Sequence, residues 1–382
     1  MKIPYNQPSY GKAEERALLA ALRAGETGGN GAITKRASAM LRELTGAKHV
    51  LLMPSATSAM EVALTAAGVG PGDEVLMPSF GFVSQANVIL SVGAKPVFCE
   101  IDPATMNMCA EDAAKRITKR TKLLFPVHYA GIGADMRAYR KLAKQHGLLL
   151  FEDAAQCLMS FQGTGRQRRH LGTFGDAGCL SFHVTKNLGC GEGGALLLND
   201  RKLAEACEII QEKGTNRSAF LRGQIDKYTW VGPGGSHILS DLLAALLEAQ
   251  LKRCATMTKK RVGLWERYHA GLAELEALGV IRCPHLPKGT DHNGHIYALR
   301  ATSPEEQQRI LAHLRGKGIG AVFHFQPLHD SPYAKEHLSP LPKLPETVRA
   351  AETLIRLPLY HDLKTSEVDR IVAEVYAAAI QG

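Results

Sequence analysis

The chain has 382 residues, 45% apolar and 22% charged, with a formal net charge of +9; this is the balance of a globular protein and excludes a disordered or fibrous one. No stretch approaches the roughly 20 apolar residues of a membrane span. The opening MKIPYNQPSYGKAEE lacks the apolar core of a signal peptide, so a cytoplasmic protein that engages no membrane is expected.

The positive charge would suit nucleic acid, a membrane surface or a small polyanion. Its densest clusters, RQRRH at 166–170 and KKR at 259–261, lack interleaved aromatics and read as solvated surface rather than a nucleic-acid site. Eight cysteines contain no C-x-x-C pair and signal neither a zinc site nor a disulfide framework, so buried reduced thiols are expected and no metal. A core of this size usually splits. We expect a large domain over 1–250, including an N-terminal arm, then a linking helix and a small α+β domain over 251–382.

From residue 47 onward, short apolar runs alternate with helical patterns. AKHVLLM precedes a helix from Thr57 to Ala67, and EVLMPS one from Phe82 to Ser91; KPVFCEI, EDAAKRI, TKLLFPVH, MRAYRKLAKQHG and LLLFEDAA continue the series. This is the signature of βα units in a mostly parallel sheet covered on both faces. After Asp153 the pattern changes. AGCLSFH and GGALLLN are too close for a crossover helix, so they read as antiparallel neighbours or as bridges between distant parts of one sheet. A helical stretch from about Leu239 to Leu275 follows and links the domains. The last hundred residues hold HIYALRA, the helix EEQQRILAHLRGKG, IGAVFHF and two closing helices around RLPLY, with LSPLPKLPE at 338–346 as a surface loop.

Between the paired runs lies SFHVTKNLGCGEGG, residues 181–194. Its Gly189-Cys-Gly-Glu-Gly-Gly194 matches the letters of the dinucleotide fingerprint, but that motif must open a helix and this one leads into a strand, which disfavours a nicotinamide enzyme. The glycines let the backbone pass close to something flat. If that group carries an aldehyde, Lys186 is the nucleophile, since a partly desolvated lysine loses its proton readily. Otherwise Lys186 caps a strand or pairs with Glu192.

LLLFEDAAQ puts Glu152 and Asp153 at the carboxyl edge of the sheet, where α/β folds bind ligands. A buried Asp153 calls for a cation such as a pyridinium nitrogen, unless it merely caps the next segment. PSATSAMEVAL places Ser55, Thr57 and Ser58 at a helix start suited to a phosphate, or to simple capping. Ser181 adds a hydroxyl five residues before the lysine.

In chain order, PSATSAM, PSFGFVSQANV, FEDAAQ, SFHVTKNLGCGEGG and SDLLAALLEAQL resemble the DegT/DnrJ/EryC1/StrS sugar aminotransferases over nearly the whole chain. The resemblance implies the pyridoxal-phosphate fold type I of aspartate aminotransferase and a homodimer with shared active sites. It makes Lys186 the Schiff-base lysine, Asp153 the partner of the pyridine nitrogen, and Gln156 a neighbour of the ring. It implies that Ala56, Thr57 and Ser181 hold the phosphate, that Phe82 stacks on the cofactor, and that Ser236 reaches the phosphate of the neighbouring subunit. Pyridoxamine phosphate would be the intermediate form and glutamate the amino donor.

Related sugar dehydratases carry His where Lys186 falls, which favours transamination here over dehydration. A non-enzymatic regulator of the same fold would not need the full set of Lys186, Asp153 and Ser181. EKGTNRSAFLRGQIDKYTW and AVFHFQPLH look most like the enzymes that aminate C4 of dTDP-4-keto-6-deoxyglucose to dTDP-4-amino-4,6-dideoxygalactose in surface-polysaccharide synthesis; amination at C3 of a related sugar is the alternative. On that likeness Asn216 and Arg217 would meet the nucleotide sugar, Tyr228 and His329 its sugar end.

Overall fold

The computed structural model describes residues 2–380. Seven strands, β1 (His49–Met53), β2 (Glu74–Pro78), β3 (Lys95–Cys99), β4 (Thr121–Leu124), β5 (Leu149–Asp153), β6 (Ala177–Ser181) and β7 (Gly194–Leu198), form one sheet in the order β1-β7-β6-β5-β4-β2-β3. Pairs from β3 across to β6 are all parallel, while β7 runs against both β1 and β6. The result is an α/β fold with a mostly parallel central sheet. Every residue of β2, β6 and β7 is buried, as a sheet covered on both faces requires. The runs AGCLSFH and GGALLLN are antiparallel neighbours, with Ala177 opposite Leu198 and Ser181 opposite Gly194.

The helices begin where local chemistry allows. Ser55 Oγ accepts the Ser58 N–H at 3.0 Å and opens Ala56–Ala66; Asp135 opens Met136–His146, which Gly147 closes with φ 65°. Two stretches depart from the expected pattern. The span 239–275 is two helices, Asp241–Leu251 and Cys254–Ala277. The break lies where Gln250 and Arg253 both donate to buried Glu14 Oε1 at 2.9 Å, so the chain turns around that carboxylate. The segment IGAVFHF forms no strand and supplies two isolated bridges, Val322 to Arg356 and Ile319 to Ile3 of the N-terminal arm, where Ile3 N–H donates to Gly318 O and Gly320 N–H to Ile3 O.

A second sheet is antiparallel, β8 (Ile281–Arg282), β9 (Tyr297–Ala301) and β10 (Leu354–Leu357), in that order. Its core gathers Trp265, Tyr268, Leu299, Ile355 and Ile371, together with Ile3 from the start of the chain. LSPLPKLPE is irregular up to Leu344, after which Pro345 starts the helix Pro345–Thr353. All eight cysteines are free and six are buried. Among the described residues no helix is long and apolar enough to cross a membrane.

Glu14 yields a stability prediction. Burial raises its pKa, but backbone N–H bonds and the Arg253 charge outweigh that and leave it lowered. A depressed carboxyl stabilises the fold above the ordinary carboxylate range, and that contribution is lost as pH falls below that range through the lowered value. Glu14→Ala, which strands Gln250 and Arg253, should cost about 2 kcal/mol in urea denaturation at pH 7 and progressively less as pH falls below the ordinary carboxylate range. A cost independent of pH would contradict this account.

Candidate active site

The strand order brings four chain segments to one edge of the large sheet. β1 ends beside the helix start at Ser55, β5 ends at Asp153, β6 ends at Ser181, and β7 begins at Gly194 directly opposite both Met53 and Ser181. A cavity of about 630 Å³ opens there, lined from the large sheet by Ala56, Thr57, Phe82, Asp153, Gln156, Ser181 and Lys186. These are seven of the eight residues that the resemblance implies for the cofactor; Ser236 is the exception.

Lys186 sits in the loop between β6 and β7, whose backbone is tied by Val184 N–H to Gly191 O and Cys190 N–H to Phe182 O, both at 2.9 Å. The loop's glycines admit the chain itself. A Cβ at Gly193 would lie 2.6 Å from Cys190 Sγ, one at Gly189 would crowd the His183 carbonyl, and Gly191 has φ +93°. Glu192 faces His183 at 3.6 Å and does not pair with the lysine. Among the described residues no carboxylate lies within ion-pairing distance of Lys186 Nζ. Withdrawal from water pushes its pKa down, the Asp153 charge holds it part of the way up, and Arg356 lowers it further. A larger share of free amine follows.

Asp153 is buried, and its Oδ1 accepts the Ala155 N–H at 3.0 Å. That bond caps a turn, since no helix follows. Desolvation raises its pKa, against the Ala155 N–H and the charges of Lys186 and His128. Behind it, buried Glu152 is fully satisfied: Gly172, Phe174 and Gly175 N–H groups donate to it at 2.7–2.8 Å, and His128 Nε2 lies at 2.9 Å. Ala134 N–H donates to His128 Nδ1, so the hydrogen on that ring points at Glu152. Of the two carboxylates in FEDAAQ, only Asp153 lacks a full set of partners and faces the cavity.

At the helix start, Ser58 N–H is used by Ser55, while the Ala56 and Thr57 N–H groups are among those a helix leaves without intrahelical partners. Thr57 Oγ1 donates to Ser84 Oγ at 2.9 Å. Gln156 Oε1 is fixed by the Ala130 N–H at 2.7 Å. Phe82 stands 61% exposed on the rim, its ring 6.3 Å from that of Phe325.

The other wall was not legible in the sequence. Tyr5, His295, His324, Phe325 and Arg356 complete the lining from the arm and the small sheet. Asn187 gives its amide hydrogen to the Asn293 carbonyl and therefore accepts from His295 Nδ1 at 2.8 Å, and burial beside Lys186 keeps that imidazole neutral, its pKa well below the ordinary value. His324, bonded to the Tyr129 hydroxyl at 3.0 Å, is pushed down to about 3 by burial. Only AVFHFQPLH hinted at this wall.

Four substrate candidates lie outside this chain's own cavity. Arg217 is 3.4 Å from buried Glu212, Asn216 Oδ1 accepts the Thr229 N–H, and Tyr228 packs on Phe220 at an exposed surface. His329 is held by Ser79 at 2.6 Å beside a separate hollow. Ser236 forms a bridge with Glu212. No residue of the stretch 212–237 lines this chain's cavity, and most of 220–231 is exposed.

The family model for the DegT/DnrJ/EryC1/StrS aminotransferase family matches residues 8–376. Among solved structures, the chain is similar to the aminotransferase TlmJ from Streptoalloteichus hindustanus, with 32% identity, 98% of each chain covered and a TM-score of 0.89. It is similar to a Streptococcus pneumoniae protein known in PMP and PLP forms, with 26% identity and TM-score 0.91, over 100% of this chain and 98% of the PMP-form chain. It is also similar to Helicobacter pylori PseC, an aminotransferase of pseudoaminic acid biosynthesis, with 25% identity, TM-score 0.88 and full coverage of both chains.

Burial of an unpaired Asp153 has a measurable consequence. Its raised pKa means that the folded, cofactor-free protein loses stability as pH rises from the ordinary carboxylate range through the shifted value. Cofactor-free Asp153→Asn should therefore be more stable than the cofactor-free parent at pH 7. The gap should close toward pH 4 in guanidinium melts. A variant less stable than its parent at pH 7 would show that Asp153 has a compensating partner.

Proposed function

The chain belongs to the DegT/DnrJ/EryC1/StrS aminotransferase family, and on that premise we propose that it uses pyridoxal phosphate to move an amino group from glutamate to C4 of dTDP-4-keto-6-deoxyglucose. The activity class is that of a pyridoxal-phosphate-dependent sugar aminotransferase. One observation carries the reading. A buried carboxylate without a cation, a lysine without a counter-ion and a helix start with free N–H groups all face one cavity.

Those residues fit pyridoxal phosphate. Lys186 would hold it, Asp153 would face its ring nitrogen, and Ala56, Thr57 and Ser181 would meet its phosphate; Gln156 and Phe82 would flank the ring. When bound, the cofactor supplies an electron sink for the bonds of the donor's amine-bearing carbon. The chain supplies the rest. Asp153, charged at neutral pH once it has a cationic partner, keeps a proton on the ring nitrogen. Lys186 Nζ, partly deprotonated by its surroundings, takes the proton from the donor carbon and returns it on the other side of the exchange. The loop bonds around residues 182–193 hold that amine in place. Relatives in PMP and PLP forms support the two cofactor states, and the pseudoaminic acid enzyme supports a sugar acceptor.

The stretch 212–237 is read as serving a second copy of the chain, with Ser236 at the partner's phosphate and Asn216, Arg217 and Tyr228 toward its nucleotide sugar. What supports this is exposure: Trp230 is 75% exposed, and Leu221, Tyr228 and Val231 are exposed around it. So much apolar surface on one stretch calls for a cover. His329 remains a sugar contact only by resemblance.

The decisive experiment incubates the protein with glutamate and a panel of dTDP- and UDP-linked 3-keto and 4-keto sugars, reading the amino product by mass. Amination at C3 only, or none, would overturn the substrate proposed. Borohydride should fix cofactor mass onto the tryptic peptide containing Lys186, and Lys186→Ala should lose both that adduct and turnover; full transamination by the variant would sink the lysine assignment.

Arg217→Ala should raise KM for the nucleotide sugar at least about tenfold while sparing the half-reaction with glutamate, as loss of one charge-assisted phosphate contact implies. Equal damage to both halves would move Arg217 to the donor or cofactor site, and no damage would leave it as the surface partner of Glu212.

A further inference from the structure

The cavity's charges balance except at one place. Asp153 awaits a ring cation, the helix start and Ser181 await a phosphate, and Lys186 is consumed in holding the cofactor. Glu192 and His183 lie near each other in the loop, both well exposed. What remains is Arg356. It is 8% exposed, lines the same cavity as Lys186, and pairs with no carboxylate among the described residues. Its Nε is sealed from water without a hydrogen-bond partner. Among the described residues its terminal nitrogens have no protein acceptor either, but they are not sealed, so the cavity is where they can be met.

The side chain is held for this. Arg356 lies within β10, its N–H donating to Val322 O at 2.7 Å and its carbonyl accepting the Val322 N–H at 3.1 Å, with Ala298 opposite on β9. The guanidinium carbon is 5.4 Å from the centre of the Tyr5 ring, so an aromatic face supports it on one side. A guanidinium this dry without an anion is costly, and such an arrangement persists where a ligand supplies the charge. Its planar fork matches a carboxylate with two parallel bonds.

Resting on the aminotransferase reading, we propose that Arg356 anchors a carboxylate of the amino donor, holding the amino acid so that its amine faces Lys186. The small sheet thereby selects the donor, while the large sheet holds the cofactor. A carboxylate is favoured over the nucleotide's diphosphate by depth: Arg356 and His295 are buried in the cavity that Lys186 also lines, whereas Arg217 in the substrate-like loop is exposed and outside it.

The test uses the cofactor-loaded protein and two ligands, glutarate as a donor mimic without an amine and dTDP for the nucleotide. Calorimetry should show glutarate bound by the parent, weakened on the order of 100-fold in Arg356→Gln, and partly restored in Arg356→Lys. dTDP affinity and cofactor content should be unchanged in both variants. In the half-reaction, KM for L-glutamate should rise by a similar factor in Arg356→Gln, with a smaller change in the limiting rate. Glutarate that the parent does not bind, or binds no better than Arg356→Gln does, overturns the proposal. So does loss of dTDP binding with glutarate spared, which would assign Arg356 to the nucleotide. A parent that binds glutarate through Arg356 but aminates no keto sugar would leave the anchor standing and overturn the acceptor reading instead.

Discussion

The site depends on the close passage of two backbones. Gly194, the first residue of β7, lies so near the Ser55–Ala56 peptide that a Cβ there would stand 2.3 Å from the Ser55 carbonyl carbon. Any side chain would push the returning strand away from the helix start. Because β7 is wedged between β1 and β6, that displacement would separate the helix start from the lysine loop, on whose far flank Ser181 sits. The helix-start and lysine-bearing halves of the site are thus held in register by an absent methyl group. The reversed strand is what places three chain ends and one chain start along a single edge.

On that frame the electrostatics follow from burial. Asp153 and Lys186 each pull the other toward its charged form, but neither overcomes desolvation, so the acid is held too basic and the amine too acidic for their ordinary ranges. Glu152 shows the contrast one residue away, since three N–H groups and His128 absorb its charge entirely. Adjacent carboxylates on one strand point to opposite faces. One braces the fold and the other is left exposed to whatever enters.

Much of this was legible in the chain, for identifiable reasons. The parallel strands advertise themselves because burial on both faces demands unbroken apolar runs such as EVLMP. Lys186, Asp153 and the 55–58 helix start could be found because each sits in a local pattern with its own chemistry. Arg356 and His295 could not, because RLPLY and HIYALR look like ordinary core strands, and only the three-dimensional approach of the small sheet turns them toward the lysine. The glycines of the 189–194 turn read as room for a flat group, and the structure adds that Gly189 and Gly193 also accommodate their own loop and Gly194 the Ser55–Ala56 peptide. The break at Lys252 and Arg253 carries no Gly or Pro, and its cause, Glu14, lies more than two hundred residues away.

Ile3 has a bearing on how this molecule can be taken apart. It fills the small core and hydrogen-bonds on both sides to the 318–320 segment, so that core is assembled from the two ends of the chain. Expressing the C-terminal stretch alone would open a hole where Ile3 sat and bare an edge for aggregation. A permuted chain that grafts the first ten residues after the last helix would keep the pairing, provided the linker reaches. Modularity here belongs to the folded object, and a pair of scissors applied to the sequence would not find it.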